Sequence, residues 1–492
     1  MNKIKSLYEK APAVVSLILC AAVLIVFGAA YFIIGLLPYS ARILDATPND
    51  IYTIHPEAVT VLEELDVDVE VLVVTETGIK NSNTIEKLLT RYAELSDHLK
   101  LTYVYPDEIQ EAYGELTSGC AVVKSSLRET VIYSADHYDL TEEAFDVSYQ
   151  FYSYMTQSGF SGTYADFMYS GYAEYYGLFD LAVYQSTLTN AIVYASMSDV
   201  TTLYTVTEHG ESILNAYLYP ELRESFTELK FGKLADGIPA YADGVLINNP
   251  TSDITAEEAV ILREYAKKGG KITLVTDYAN IKKLTNLRAV CEEYGLTTDG
   301  GFVCEDDTDY NYGGYTNIIF PLVNYDAFGG YLQSLSDKPF TFEVSGLNVS
   351  SVEGITAEVL VQTSPNAYSK QDKTSNAFDS TTDTRGQFAL AAIAKNNANG
   401  SSLLWFSSIA FCDAKQDTLS MCNNFPVFVA ALSAQYNSEK PVNIPAISII
   451  TDPLDTTDGD FAVVMVFSIL IPAAIIAFGV YNTVKRRKTT VR

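Results

Sequence analysis

Asp243-Gly-Val-Leu-Ile-Asn248, Thr255-Ala-Glu-Glu258 and Gly269-Gly270-Lys-Ile-Thr-Leu-Val-Thr276 follow one another in one stretch, and their order decides the fold class. The two apolar runs read as strands. Thr255 and Glu258 have the spacing of a capping box, in which the hydroxyl accepts from the third helical amide and the carboxylate reaches back to the cap. Ala259, Leu262, Tyr265 and Ala266 then recur at helical spacing on one face. Gly269-Gly270 ends the helix and the next strand begins at once. Strand, capped helix, glycine stop and strand make a right-handed βαβ unit, so the sheet is expected to be mainly parallel. Working outward, strands are expected at Thr202–Thr207 and Phe226–Phe231, and a helix over Lys282–Tyr294 that stops at Gly295. Residues 198–325 therefore read as a Rossmann-like domain.

Residues 38–144 have a different order. A short helix, Pro56–Glu64, precedes a strand at Val67–Val74. A helix follows over Asn83–Leu99, with Ile85, Leu88, Leu89, Tyr92 and Leu95 on one face. Strands are expected at Leu101–Tyr105, Ala121–Lys124 and Glu129–Tyr133. This succession reads as a thioredoxin-like domain. Its first loop is Thr75-Glu-Thr-Gly78 where a redox enzyme carries a Cys-x-x-Cys pair, so redox chemistry is not expected. Residues 145–197 form a connector crowded with tyrosine and phenylalanine, suited to burial or to contact with a sugar or protein, and ending in a helix from Leu178 to Met197. Residues 326–440 read as a C-terminal α/β portion with a polar loop at Asn366–Arg385, and 441–460 as a stalk.

Both ends are apolar. Residues 11–37 and 461–484 carry no charge, and each is long enough to cross a bilayer, which takes roughly 20 helical residues. Lys3, Lys5 and Lys10 precede the first run and Lys485-Arg486-Arg487-Lys488 follows the second. The positive-inside rule puts both tails in the cytoplasm and residues 38–460 outside it, in a two-pass cell-membrane protein. A cleaved signal peptide is the rival for the first run, but the run exceeds the usual apolar core of such peptides and no small-x-small site follows Leu37. Eight of the 32 basic residues lie in the tails, leaving 24 against 60 acidic residues in the middle, a balance near −36. That charge argues against nucleic acid or anionic lipid as a partner of the middle region.

No nucleotide-binding Gly-x-x-x-x-Gly-Lys motif, Gly-x-Ser-x-Gly elbow or His-Glu-x-x-His pair occurs, so no cofactor is expected and the chain is not expected to hydrolyse ATP. Only four histidines are present and none has zinc-ligand spacing. Glu305-Asp306-Asp307-Thr-Asp309 and Asp452-x-x-Asp455-x-x-Asp458-Gly-Asp460 depart from a calcium-loop pattern and read as solvated loops. Cys291 with Cys304, and Cys412 with Cys422, are the pairings open to an oxidising compartment, with free thiols as the alternative.

A ligand of a parallel α/β sheet sits at the carboxyl ends of the strands. Those ends should present Glu208, His209 and Glu211 after one strand, Asn248 and Asn249 after another, and Asp277 after a third. Three readings of this polar crevice are open: acid–base chemistry at His209 flanked by Glu208 and Glu211, binding of a polar ligand or partner loop, or turns and caps alone.

Three passages carry a family likeness. They are Arg42-x-x-Asp45 with Ile51-Tyr-Thr-Ile54 and Glu57-x-x-x-Val61-Leu62; Thr207-Glu-His-Gly-Glu211; and Ile238-Pro-Ala-Tyr-Ala-Asp243 through Asn249-Pro250 to Asp277. In this order, between two apolar ends and with Gly386-Gln-Phe-Ala-Leu390 behind them, the chain resembles the Gld-type, gliding-motility-like auxiliary component of ABC transporters. The resemblance implies a separately encoded permease and cytoplasmic ATPase as partners and no enzymatic activity of the subunit. The chain departs from the family pattern at Glu208, where the family has glycine, and near Ser407–Phe411, where an acidic residue is missing. The tyrosine-rich insert is a further departure. The expected whole is an α/β ectodomain, thioredoxin-like plus Rossmann-like, between two transmembrane helices.

Overall fold

The computed structural model describes residue 49 and residues 51–449 apart from 76–83, 163, 216–217, 336–337 and 413–423, together with Ile25, Ala29 and Phe32. Both apolar end segments, Cys422 and the acidic stretch after Asp452 therefore lie outside the described residues, those three helical positions excepted. Among the described residues no helix is long and apolar enough to cross a membrane. The chain divides into two compact units, Met1–Ile447 and Ser448–Arg492, and both principal sheets belong to the first.

The first sheet has four strands: β1 (Val69–Val74), β2 (Leu99–Val104), β3 (Ala121–Lys124) and β4 (Glu129–Ile132). Their order is β2-β1-β3-β4, with β1 parallel to β2 and the other pairings antiparallel. Successive side chains of a strand point to opposite faces. Leu72, Val74 and Val122 accordingly join Ile109 of the helix α3 (Pro106–Tyr113) in one core. The helices α1 (Pro56–Glu64), α2 (Thr84–Ala93) and α5 (Tyr184–Ser196) complete this layer, α5 packing against β3, β4 and α1. Between them, residues 142–176 form α4 (Glu142–Gln157) and two short helices, their aromatic rings gathered around the fully buried Phe167.

The second sheet has eight strands: β5 (Thr201–Thr207), β6 (Thr227–Lys233), β7 (Gly244–Asn248), β8 (Lys271–Val275), β9 (Leu322–Val323), β10 (Ile355–Gln362), β11 (Ala389–Asn396) and β12 (Ser402–Phe406). Their order is β9-β10-β11-β12-β8-β7-β5-β6. The strands β6, β5, β7, β8 and β12 are mutually parallel, and β11, β10 and β9 extend the sheet as an antiparallel meander. The fold is therefore α/β with a large sheet that is mostly parallel at its centre. Strand alternation distributes its two cores. Leu246, Leu404 and Phe406 pack with α6 (Leu218–Glu224) and α9 (Asn424–Tyr436). Val245, Ile247, Leu403 and Trp405 pack with α7 (Ala256–Lys267) and α8 (Thr285–Glu292). Covered on both faces, the central strands have no solvated side, which is why they read as unbroken apolar runs. Trp405, the only tryptophan, is fully buried and donates its indole N–H to Thr276 Oγ1 at 2.9 Å.

The capping box forms as expected. Glu258 N donates to Thr255 Oγ1 at 3.1 Å and Thr255 N to Glu258 Oε2 at 2.8 Å. The helix expected over Lys282–Tyr294 forms as the shorter Thr285–Glu292, and a separate turn, Tyr278–Ile281, precedes it. Asp277 caps the turn Tyr278–Ile281 through Asn280 N at 2.8 Å, and Asp253 accepts from Asn286 N and Leu287 N at the start of α8. Each carboxylate thus caps its own start, and the expected helix opens at Thr285 rather than at Lys282. The helix expected from Leu178 begins only at Tyr184, because Leu181–Ala182 pairs as a strand with Tyr138–Asp139. Within the expected polar loop, Tyr368–Lys370 pairs with Phe302–Cys304, and a buried Lys370–Asp383 ion pair ties the segment down. Cys120, Cys291 and Cys304 are free, buried thiols, and Cys412 is fully buried.

Gly295 follows α8 at φ +75°, and a Cβ there would stand 2.4 Å from the carbonyl oxygen of Ser350. Since neither the backbone angle nor the facing carbonyl can yield cheaply, Gly295→Ala should lower stability by about 1–3 kcal/mol. Urea unfolding followed by the fluorescence of Trp405 reads this directly.

Candidate functional site

The carboxyl ends of β5, β7 and β8 bring together most of the polar residues expected there. After β5 the chain turns through Glu208 at φ +89° and Gly210 at φ +72°, which folds His209 back over the sheet. Its carbonyl accepts from the amides of Thr251 and Ser252, both at 2.9 Å, stitching this loop to the one after β7.

The imidazole of His209 is held from both sides. Nδ1 lies 3.0 Å from Glu211 Oε1 and Nε2 lies 3.0 Å from Glu258 Oε2. The side chains of His209, Glu211 and Glu258 expose only 10%, 7% and 8% of their surface. A neutral imidazole has one donor and one lone pair, so one carboxylate would face a lone pair; the imidazolium, with two donors, satisfies both. Burial alone would lower the His209 pKa, but the hydrogen bonds and charges of Glu258 and Glu211 outweigh it and hold the value above the ordinary one. Burial would likewise raise Glu258, but the Thr255 amide, His209 and the Thr255 hydroxyl hold its carboxyl below the usual range. The position of Glu258 in the first turn of α7 adds the favourable field of the helix N-terminus.

Glu208 stands apart from this cluster. It is half exposed and pairs with Lys233 at the end of β6. The second carboxylate on His209 is instead Glu258, legible in the sequence as a capping residue but not as a histidine partner. The signal is that its helix begins one short loop after β7, beside the strand that carries His209.

The remaining candidates form a second network. Ser212 N donates to the Asn248 carbonyl at 2.8 Å, while Asn248 Nδ2 donates to the Ser212 carbonyl at 2.8 Å. Asn249, at φ +49°, donates through Nδ2 to Ser212 Oγ and to Asp277 Oδ2, each at 3.2 Å. Asn280 Nδ2 reaches Asn249 Oδ1 and Asp277 Oδ2, both at 3.4 Å. The thiol of Cys412 donates to Asn248 Oδ1 at 3.2 Å. His209, Glu211, Asn248, Asn249 and Asp277 therefore spend much of their hydrogen-bonding capacity on one another and on the loop 208–215. Among the described residues no group of histidine, cysteine or carboxylate side chains has the disposition of a metal site. In the acidic loop after Phe302–Cys304, Glu305 is fully buried and accepts from Ser364 N at 2.9 Å, Ser364 Oγ at 2.8 Å and Asp307 N at 3.1 Å.

No family model matches the chain, and no curated protein matches it. Solved structures resemble it weakly. The N-terminal domain of mmIFT52 is 16% identical with a TM-score of 0.36, covering 50% of this chain and 100% of that one. A cold-adapted β-galactosidase from Rahnella sp. R3 is 12% identical with a TM-score of 0.28, covering 53% and 35%. The carbohydrate deacetylase Agd3 is 12% identical with a TM-score of 0.28, covering 48% and 32%. The chain spans about a third of the length of the latter two. Likeness at this level carries no argument about fold or activity.

The imidazolium contributes stability in full below the ordinary histidine value of 6.5 and loses it as pH rises through the raised value. Glu258 contributes above its ordinary value of 4.5 and loses its share as pH falls through the depressed one. The cluster thus contributes most between those two ordinary values. His209→Gln should cost about 2–4 kcal/mol near pH 6, because a buried ion pair loses one partner. The gap between variant and parent should narrow as pH rises towards 9, in urea unfolding followed by Trp405 fluorescence.

Proposed function

We propose that this chain is a non-catalytic, membrane-anchored auxiliary subunit of an ABC transport complex, its ectodomain binding a transported substrate or a surface partner. The observation that carries the non-catalytic half of this reading is the double engagement of His209. A general base needs a nitrogen free to take a proton. Here Nδ1 and Nε2 both face carboxylates at 3.0 Å. An enzyme acting on envelope glycans through His209 would need one of these contacts to open.

The anchoring half rests on sequence: two uncharged spans with basic residues outside each, and an acidic region between them. The partnership rests on the likeness to the Gld-type component, whose motifs occur here in the same order. The strand order β2-β1-β3-β4, with α5 against the sheet, supports reading the N-terminal layer as a redox-inactive thioredoxin-like domain. The five parallel strands with helices on both faces support a Rossmann-like reading of the second. In this arrangement the membrane spans pack against the permease, and the ectodomain stands on the far side of the bilayer.

Affinity purification of the full-length chain in mild detergent, with mass spectrometry of what accompanies it, tests this reading. The expected companions are a multi-span permease and a cytoplasmic ATPase in comparable amounts. Recovery of the chain alone, with its membrane spans intact, would contradict it.

A further inference from the structure

The opposite end of the parallel sheet holds a cavity of about 430 Å³. Its floor is the amino ends of three neighbouring strands: Thr201 opens β5, Asp243 immediately precedes β7 and Lys271 opens β8. Its walls are the segment after α5, with Asp199, and the residues that follow α9, with Asn437, Ser438 and Glu439. Two of these residues hold left-handed backbone, Phe226 at φ +56° and Asn437 at φ +55°. A volume of this size is within the usual range, roughly 300–1,000 Å³, for small-molecule sites.

Its charges are unevenly satisfied. Lys271 Nζ donates to the Tyr436 carbonyl at 3.3 Å and stands 5.0 Å from the centre of the Tyr436 ring. Among the described residues no carboxylate lies within ion-pair distance of it, although acidic residues outnumber basic ones 61 to 32. Burial, together with nearby Lys395, pushes its pKa below the usual lysine value despite Asp243. Asp243 uses Oδ2 to accept from Thr202 N at 2.7 Å. Asp199 and Glu439 are exposed side chains of the cavity with no hydrogen bond or ion pair to other described residues. The cavity thus offers one under-paired ammonium beside three carboxylates.

A simple anion would be drawn to Lys271 but repelled by the carboxylates, and a simple cation would leave Lys271 without a counter-charge. A molecule with both charges satisfies both. We propose that this cavity binds a small zwitterion, an amino acid or a dipeptide with free ends, its carboxylate on Lys271 and its ammonium toward Asp243, Asp199 and Glu439. The site lies at the other end of the strands from His209 and is independent of any assembly with a permease.

Isothermal titration of the full-length protein in detergent with alanylalanine is the test, run beside N-acetyl-alanylalanine and alanylalanine amide. Free alanylalanine should bind, and blocking either end should weaken binding by about tenfold or more, the worth of one charge-assisted contact. Lys271→Met should lose about tenfold or more toward the free dipeptide. Asp199→Asn, at an exposed position, should weaken it less, with Trp405 fluorescence unchanged in both variants. The proposal is overturned if the parent protein shows no binding at millimolar dipeptide, if the blocked peptides bind as well as the free one, or if folded Lys271→Met binds like the parent.

Discussion

A buried imidazolium clamped between two carboxylates governs how the carboxyl end of the large sheet is built. His209 comes from the loop after β5, Glu211 from the same loop and Glu258 from the first turn of α7, so their contacts join the β5–β6 connection to the β7–β8 connection. Without that charge, one of two glutamates with almost no solvent exposure would face a lone pair of the ring. With it, the loop 208–215 lies down over the strand ends and brings Ser212 to Asn248 and Asn249. At the place where a parallel sheet ordinarily receives a ligand, the strand-end side chains thereby bond to the protein's own loop.

The sheet's two ends consequently differ in character. At the carboxyl end polar groups are paired with one another. At the amino end, strand starts and the residues beyond α9 leave a cavity with an under-paired lysine.

Much of this architecture was legible in the residues. Thr255, Glu258 and Gly269-Gly270 mark a helix between two strands, and β7, α7 and β8 follow that pattern closely. Pro56–Glu64 is a helix over the expected residues. What sequence could not give was long-range placement. Ser402–Phe406 lies far along the chain from Lys271–Val275, yet the two strands are parallel neighbours, and no local pattern encodes that pairing. The start of the expected helix at Thr285 rather than Lys282 depends on Asp253 arriving from another loop. For the site, strand-end position predicted where His209, Asn248, Asn249 and Asp277 would gather. It misassigned the partner of His209, because Glu208 at φ +89° turns outward to Lys233 while Glu258 approaches from a helix read only as capped.

The most direct measurement of the central claim is the protonation state of His209 in the folded chain. Nitrogen-15 spectra of protein labelled at its four histidines, assigned with the His209→Gln variant, report each ring nitrogen separately. The account predicts that at pH 7.5 both nitrogens of His209 carry protons. A neutral ring with one bare nitrogen at that pH would contradict it, and would return His209 to the role of an available base.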